Sequence, residues 1–451
     1  MVAGDVFTPA HVLADAIRQR EVSSVEIVDA YLAQISRHNP NLNAVVTLDE
    51  EGARKRARAA DAALGRGEAW GALHGVPITL EDIHPTSGVR TTWGGLPRLS
   101  DHVPAEDGTV AARLKAAGAV LLGKTSGPEV WPDSIFDRTN NPWNLAHTPG
   151  GSSAGVGAAL SAGLASLDIG GDTLGSIQNP AHYCGVYGMR PTEHRVPLTS
   201  MFFLDPVRKF RVMSVAGPMA RSVEDLRLAL RLLTGPDGLD THVPPVPWRD
   251  HERPVVRDLR IAWSTDFPGS TTQEEIRIAT ENVVGELAEA GATVEEVMPD
   301  VDVALQNELG EELFDLLAGT FTAEPTAFSE VANDASQGTN LLEAYLTALD
   351  RRDSIMRAWE RFFADRDALI LPAGTNTAER HGEEPTGPQE YPYALSAVSG
   401  CPMIVVPAGV DQQGLPFGLQ ILGKRWDDER LLAIAEAVSE LTGGFRQPPG
   451  Y

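Results

Sequence analysis

Cysteine is nearly absent from this chain: Cys184 and Cys401 are the only two in 451 residues. Two thiols so far apart supply no disulfide framework, and neither lies in a metal-ligand cluster. Their small and apolar neighbours predict buried structural thiols. Basic residues are scarce too, with 37 Lys and Arg against 62 Asp and Glu, a formal charge of −25. That balance argues against a nucleic-acid partner, which needs a basic stripe. It suits a soluble, unaggregated protein. No apolar run reaches membrane-spanning length, and the opening MVAGDVFTPAHVLADAIRQR lacks the apolar core of a signal peptide. The expectation is a cytoplasmic protein without a membrane partner. There is no H-E-x-x-H, no Cys/His cluster and no dinucleotide fingerprint, so neither metal nor cofactor is expected.

What the chain has is an alternation of helical periodicity and short apolar runs, which predicts an α/β fold. Residues 8–65 read as helices. Ser23 and Glu26 form a capping box that opens one of them, and Asn39-Pro40 is expected to end it. Another helix is predicted over 50–65. Residues 73–80 read as a turn into a buried strand, 109–117 as a helix and 119–122 as a strand. Gly118 to Thr125 matches the phosphate-loop pattern G-x4-G-K-T. The four intervening residues are themselves the strand, however, and Pro128 discourages a following helix, so nucleotide binding is rejected. A helix capped by Ser222 runs to Leu233. Residues 238–256 read as a surface crossover, 259–263 as a strand, 273–290 as a helix and 293–297 as a strand. Residues 300–365 are helical in pattern and are expected to cap or wall a pocket. Strands at 368–371, 403–407 and 417–422 follow, the last two joined by a hairpin, and a closing helix spans 427–441.

The densest information lies in Pro149 to Thr192: 44 residues with ten glycines, seven serines or threonines and almost no charge. Residues without bulk belong where backbone packs on backbone or where a ligand approaches main-chain N–H groups. A close-packed core with glycine turns is one reading. Another is a site, because Ser152 and Ser153 follow a Gly-Gly turn and precede a small-residue helix, roughly 154–165. Ser176 ends a second glycine turn, 170–175. Two serine-bearing turns flanking one helix can meet in space.

This stretch resembles the signature of the amidase signature family of serine hydrolases: GGSSGG, then GTDTGGSIR-x-P, then CG-x-x-G-x-(K/R)-PT. The two family serines lie 24 positions apart, as Ser152 and Ser176 do. The likeness extends to LHGVP, GAVLLGKT, NPWNLAHTPGG, GPMARSVEDL and GLPFGLQILG, and is weak over 300–395. It implies the amidase-signature fold, a single large mixed twisted sheet wrapped by helices, in one domain spanning 1–451. Within it, 1–65 would be a helical arm and 66–235 the signature core. Residues 236–395 would be the crossover and substrate-facing region, and 396–451 the last strands and helix.

The resemblance also implies roles. Ser176 would be the nucleophile, and Ser152, held in a cis peptide after Gly151, would pass its proton on. Backbone N–H groups of Thr173, Leu174, Gly175 and Ser176 would stabilise the oxyanion, with Ser153 and Asp172 beside them. Serine needs such a base to become nucleophilic, and an oxyanion donor is often worth ~2.7–4 kcal/mol. The family lysine of GVP-x-x-x-K-D is absent, and Glu81 stands in its place. Leu174 replaces a family glycine, and Gln178 replaces the arginine expected to pair with Asp172. Lys115 and Lys124 belong to other family elements.

Three readings follow. One is decay into a silent, amidase-like partner protein. Another is a hydrolase of a small-molecule amide or related acyl substrate using a Ser-Ser-Glu relay, Glu81 having its ordinary pKa near ~4.3 raised by burial. The third is a cyclisation, acyl transfer, elimination or isomerisation with Glu81 as acid or base. A homodimer is a candidate assembly. His74, His84, His147, His182, Asp133 and Asp137 are weaker candidates, read first as structural or solvated side chains.

Overall fold

The computed structural model describes residues 5–127, 134–199, 201, 212–318, 341–383 and 391–451. Helix α1 (Ala10–Arg18) follows Pro9, which has no side chain to cap it. Helix α2 (Ser24–Leu42) has the full capping box, Glu26 N–H donating to Ser23 Oγ at 3.1 Å and Ser23 N–H to Glu26 Oε2 at 2.8 Å. It runs past Pro40, two residues beyond the predicted end. A proline in the last turn removes little of the helix's hydrogen bonding. The exit is fixed by Asn39, whose Oδ1 accepts from the N–H groups of Ala44 (2.9 Å) and Val45 (2.8 Å).

Strand β1 (Val45–Leu48) interrupts the segment read as helical throughout, and α3 (Glu50–Gly65) follows. Strand β2 (Pro77–Glu81), helix α4 (Thr109–Ala116) and strand β3 (Val120–Thr125) match expectation. Gly123, Lys124 and Thr125 lie inside β3, so the sequence G-K-T forms no phosphate loop.

The signature region gives α5 (Ala154–Ser161), β4 (Leu167–Asp172), α6 (Gln178–Cys184) and β5 (Tyr187–Arg190). Helix α5 stops short of Ala165 because Gly163 turns left-handed at φ 70°. Gly170 and Gly171 lie inside β4, which ends at Asp172, rather than at the start of a turn. Next come β6 (Val215–Ala220), α7 (Val223–Leu233), β7 (Arg260–Trp263), α8 (Glu274–Glu289) and β8 (Thr293–Glu296). The order closes with α9 (Val303–Ala318), α10 (Leu341–Phe362), β9 (Ala368–Pro372), α11 (Tyr391–Ser399), β10 (Met403–Val410), β11 (Pro416–Leu422) and α12 (Asp428–Thr442).

The large mixed sheet is present, eight strands in the order β4-β6-β5-β10-β11-β9-β7-β8. β7 is parallel to β8 and β9, and the remaining neighbours pair antiparallel. Strands β1, β3 and β2 form a smaller sheet of their own. Side chains join the two, Thr79 of β2 donating to Asp168 of β4. Alternate residues of β10 face opposite layers. Ile404 and Val406 pack with Leu226 of α7, Leu287 of α8 and Leu432 of α12. Met403 and Val405 pack with Val156 of α5, Ala181 of α6 and Trp359 of α10. Both faces are therefore covered, which is why its strands read as continuous apolar runs.

One buried cation ties the opening segment to the back of α5. Arg221 donates to the carbonyls of Val6 (2.8 Å), Leu160 (2.9 Å) and Ala165 (2.6 Å) and to the Tyr31 hydroxyl (3.2 Å).

Candidate active site

The site forms where β2 and β4 end side by side. Ser153 is the residue before α5, and its N–H donates to the carbonyl of Ser176 at 3.1 Å. That bond laces the two serine-bearing turns together, as their spacing predicts. Gly151 N–H donates to Asn179 Oδ1 at 2.9 Å, anchoring the first turn on α6. Gly150 has φ 82°, and a Cβ there would lie 2.2 Å from the same oxygen, so only glycine fits. The Gly151–Ser152 peptide is cis. Ser152 and Ser176 are half-buried, whereas Ser153 is buried.

Glu81, the last residue of β2, is fully buried. Its Oε2 accepts from Ser153 Oγ and from Gly171 N–H, both at 2.8 Å. Oε1 is buried with no described partner. Sequence reasoning put Glu81 within reach of Ser152 or of the bound substrate; the described hydrogen bond goes to Ser153, the neighbour of Ser152. Burial pushes the Glu81 carboxyl up to about 8, against the two hydrogen bonds that favour the anion. It is thus chiefly a neutral acid near pH 7.

Around it lie other buried charges. Burial raises Asp168 to about 6, although Thr79, Thr125 and the Ile169 N–H donate to it. Burial lowers Lys124 to about 8, with Asp82, Asp168 and Glu81 opposing that shift. The Lys124 ammonium donates to the His84 carbonyl and, at 3.3 Å, to Thr86 Oγ1. No described hydrogen bond links it to the serines.

The second turn is held from below by Asp172. Its Oδ1 accepts from Gly175 N–H at 3.0 Å and its Oδ2 from Ile177 N–H at 2.8 Å. The Gly175 N–H, expected among the oxyanion donors, is therefore engaged. No described residue accepts from the N–H groups of Thr173, Leu174 or Ser176. Gly175 has φ 96°, and a Cβ there would sit 2.6 Å from the Tyr393 ring. Thr173 Oγ1 and Ser214 Oγ share a hydrogen bond of 2.8 Å. Leu174 packs on the apolar cluster of α9 and α11, including Leu309, Leu313 and Val398. Gly310 makes room for it: a Cβ there would lie 3.0 Å from Leu174 Cδ2. Helix α9 thus packs against the second turn.

Gln178, where the resemblance led to the expectation of an arginine, does not pair with Asp172, but Asp172 is not alone. Arg190, from β5, donates to Asp172 Oδ1 at 2.7 Å and to its carbonyl at 3.0 Å. Sequence reasoning missed this partner, although it lies in the same signature, in Met189-Arg190-Pro191-Thr192. Gln178 instead donates to Ser396 Oγ at 2.8 Å.

Three of the histidines are held by backbone hydrogen bonds. His74 bonds the Trp70 N–H and the Ala60 carbonyl, His147 the Ala378 carbonyl. His182 spans the Asn376 carbonyl and the Gly418 N–H. Burial drives His84 down to about 3, and its Nε2 has no described partner. Cys184 and Cys401 are buried free thiols. Asp137 is exposed, and Asp133 lies outside the described residues. Among the described residues no group of three or more His, Cys, Asp or Glu side chains could hold a metal ion. No described helix is long and apolar enough to cross a membrane.

Comparison with known proteins identifies the family and the fold. The family model described as Amidase matches residues 26–432. A glutamyl-tRNA(Gln) amidotransferase subunit of Roseiflexus sp. (strain RS-1) is 34% identical over 480 aligned positions, covering 96% of each chain. Among solved structures, fatty acid amide hydrolase superposes with a TM-score of 0.83 at 25% identity, over 97% of this chain and 85% of that one. The peptide amidase of Stenotrophomonas maltophilia gives 0.80 at 28% identity, over 98% of both chains. By fold, signature and extent of match, the chain belongs to the amidase family.

Proposed function

We propose that this protein is an amidase-family enzyme acting on a small-molecule amide or related acyl substrate. Ser176 is the nucleophile, Ser152 passes its proton, and Glu81 with Ser153 takes the part the family gives to lysine. The observation that carries the reading is the meeting of the two turns, Ser153 donating both its N–H to Ser176 and its hydroxyl to Glu81. The N–H groups of Thr173, Leu174 and Ser176 are the oxyanion donors in this scheme. A decayed active site gives no reason to keep that arrangement.

A second reading keeps the scaffold and changes the reaction. A carboxyl held neutral to about pH 8 is a poor acceptor for a serine proton and a good donor. Its buried Oε1, without a partner among the described residues, favours a general-acid step. Cyclisation, acyl transfer, elimination and isomerisation all fit such a donor. No cofactor or metal is invoked. The amidotransferase relatives are named for a tRNA substrate, but a charge of −25 supports a small-molecule substrate without a nucleic-acid partner.

A serine-directed fluorophosphonate decides whether the nucleophile is live. The expected result is one adduct on Ser176, lost in Ser176→Ala. An unreactive protein would return the silent-partner reading to first place. Simple aliphatic and aryl amides should be turned over slowly or not at all. Rapid hydrolysis of such a panel, abolished by Ser176→Ala, would show that the family reaction proceeds without the lysine.

A further inference from the structure

Arg190 lies on β5, one strand beyond the neighbour of β4, and is wholly buried, as is the Asp172 side chain. Its Nη1 reaches both the carbonyl and the Oδ1 of Asp172, and its Nη2 donates to the Met213 carbonyl. Asp172 in turn holds the N–H groups of Gly175 and Ile177, the residues on either side of Ser176. One carboxylate thus clamps the proposed nucleophile's backbone from both sides, and one guanidinium fixes the carboxylate.

A buried ion pair adds little to stability by itself, since an apolar pair of similar volume often does as well. What this pair supplies is geometry. Arginine presents a planar fork that fixes two acceptors in one orientation, which lysine cannot reproduce. The other charges near Arg190 are Glu193 and Arg352 of α10. Those two pair with each other, so Asp172 has no competing described cation.

We infer that Arg190 is a positioning residue for the nucleophile turn, acting through Asp172 to set Ser176 and the N–H groups of Thr173, Leu174 and Ser176. The inference rests on the proposed role of Ser176. Its consequence is specific: loss of Arg190 slows the chemical step at Ser176 and leaves encounter with the substrate intact.

The test uses the full chain and a fluorophosphonate, with labelling rates read by intact mass across probe concentrations. This separates the maximal rate from the half-saturating concentration. Circular dichroism and thermal melting check folding. In Arg190→Met the maximal rate should fall on the order of 10²-fold, the scale of a misplaced oxyanion donor, with half-saturation within about threefold. Arg190→Lys, which keeps the charge and one bond, should recover to within about tenfold of the unaltered protein. Should Arg190→Met not fold, Asp172→Asn carries the test, because an amide nitrogen then faces one of the two N–H groups and the rate should fall as far. Amide hydrogen exchange provides a readout that does not need a live nucleophile. Peptides covering 173–178 should exchange at least about tenfold faster in Arg190→Met or Asp172→Asn, with those of α12 unchanged. A folded variant with unaltered rate and unaltered exchange overturns the inference, as does a loss confined to half-saturation. Failure of the unaltered protein to label overturns the Ser176 reading instead, and the exchange result still decides whether Arg190 positions the turn.

Discussion

Glu81 carries the largest consequence of any single residue here. Folded, it keeps its proton up to about pH 8; unfolded, it releases it near its ordinary value of 4.5. The folded chain therefore binds more protons between those values, and stability falls as pH rises through that window. The contribution is fully present below about 4.5 and lost above about 8. Glu81→Gln is neutral throughout, so its melting temperature should gain on that of the unaltered protein between about pH 5 and pH 9. Parallel melting curves across that range would show that the carboxyl is not held neutral. On the natural substrate, Glu81→Gln should also lose on the order of 10²–10⁴ in rate, the range for removing general acid–base assistance. An unchanged rate would make Glu81 a structural replacement only. The candidacy of Glu81 was legible in sequence, because it occupies a fixed place after Gly-Val-Pro at the end of a buried strand. Its partner was not. Which of two adjacent serines turns towards the carboxylate is set by the path of the chain from Gly151 to Ser153, and residue pattern carries no record of that. Arg190 was illegible for a related reason: it reaches Asp172 only through the pairing of β4, β6 and β5.

Among elements, the long periodic helices were readable, as were the short buried strands β2, β3, β9 and β11, whereas β1, β5 and β6 were not. Helices α3, α7, α8 and α12 fall within a residue or two of their predicted bounds. β1 and β5 are four residues each, too short to show a period, and β6 contains Pro218 and Gly217, which read as breakers. α1 shows how an element can depend on a distant one. Pro9 cannot cap it, so Asp225 of α7 does, accepting from the N–H groups of Ala10 and His11 at 2.8 Å each. A carboxylate there also suits the positive end of the helix. Asp225→Ala should cost about 1–2 kcal/mol, measured by denaturant midpoint at about pH 8. The His11 ring bonds the same carboxylate, and that hydrogen bond raises its pKa above 6.5. Its contribution is present below pH 6.5 and fades as pH rises through the raised value, so the penalty of Asp225→Ala should grow on acidification. An equal penalty at about pH 5.5 and pH 8 would argue that His11 is not charged there.

For the molecule as a whole, the α/β class and the large mixed sheet were legible from alternating patterns and from the signature. The separation of β1, β3 and β2 into a smaller sheet was not, because side chains rather than a ladder join it to β4. The acidic surface has its own consequence. Counterion release on a polyanion needs clustered Lys and Arg, and this chain has 37 of them against 62 Asp and Glu. Mixed tRNA should therefore show no saturable binding in a filter assay at about 0.1 M salt, where the Debye length is about 10 Å. Binding that saturates at micromolar tRNA would reopen the relatives' substrate for this chain.

The Arg221 knot bears on how the protein can be cut and fused. Because one guanidinium holds Val6, Tyr31 and the carbonyls behind α5 together, residues 6–8 are a strut beneath the serine-bearing helix. An affinity tag belongs ahead of residue 5 or at the other terminus, and a shortened version starting at Pro9 would take the Val6 and Thr8 carbonyls from the guanidinium. The same strut offers a handle for engineering: stiffening residues 5–9 against Arg221 braces the far end of α5, opposite the end that follows Ser153.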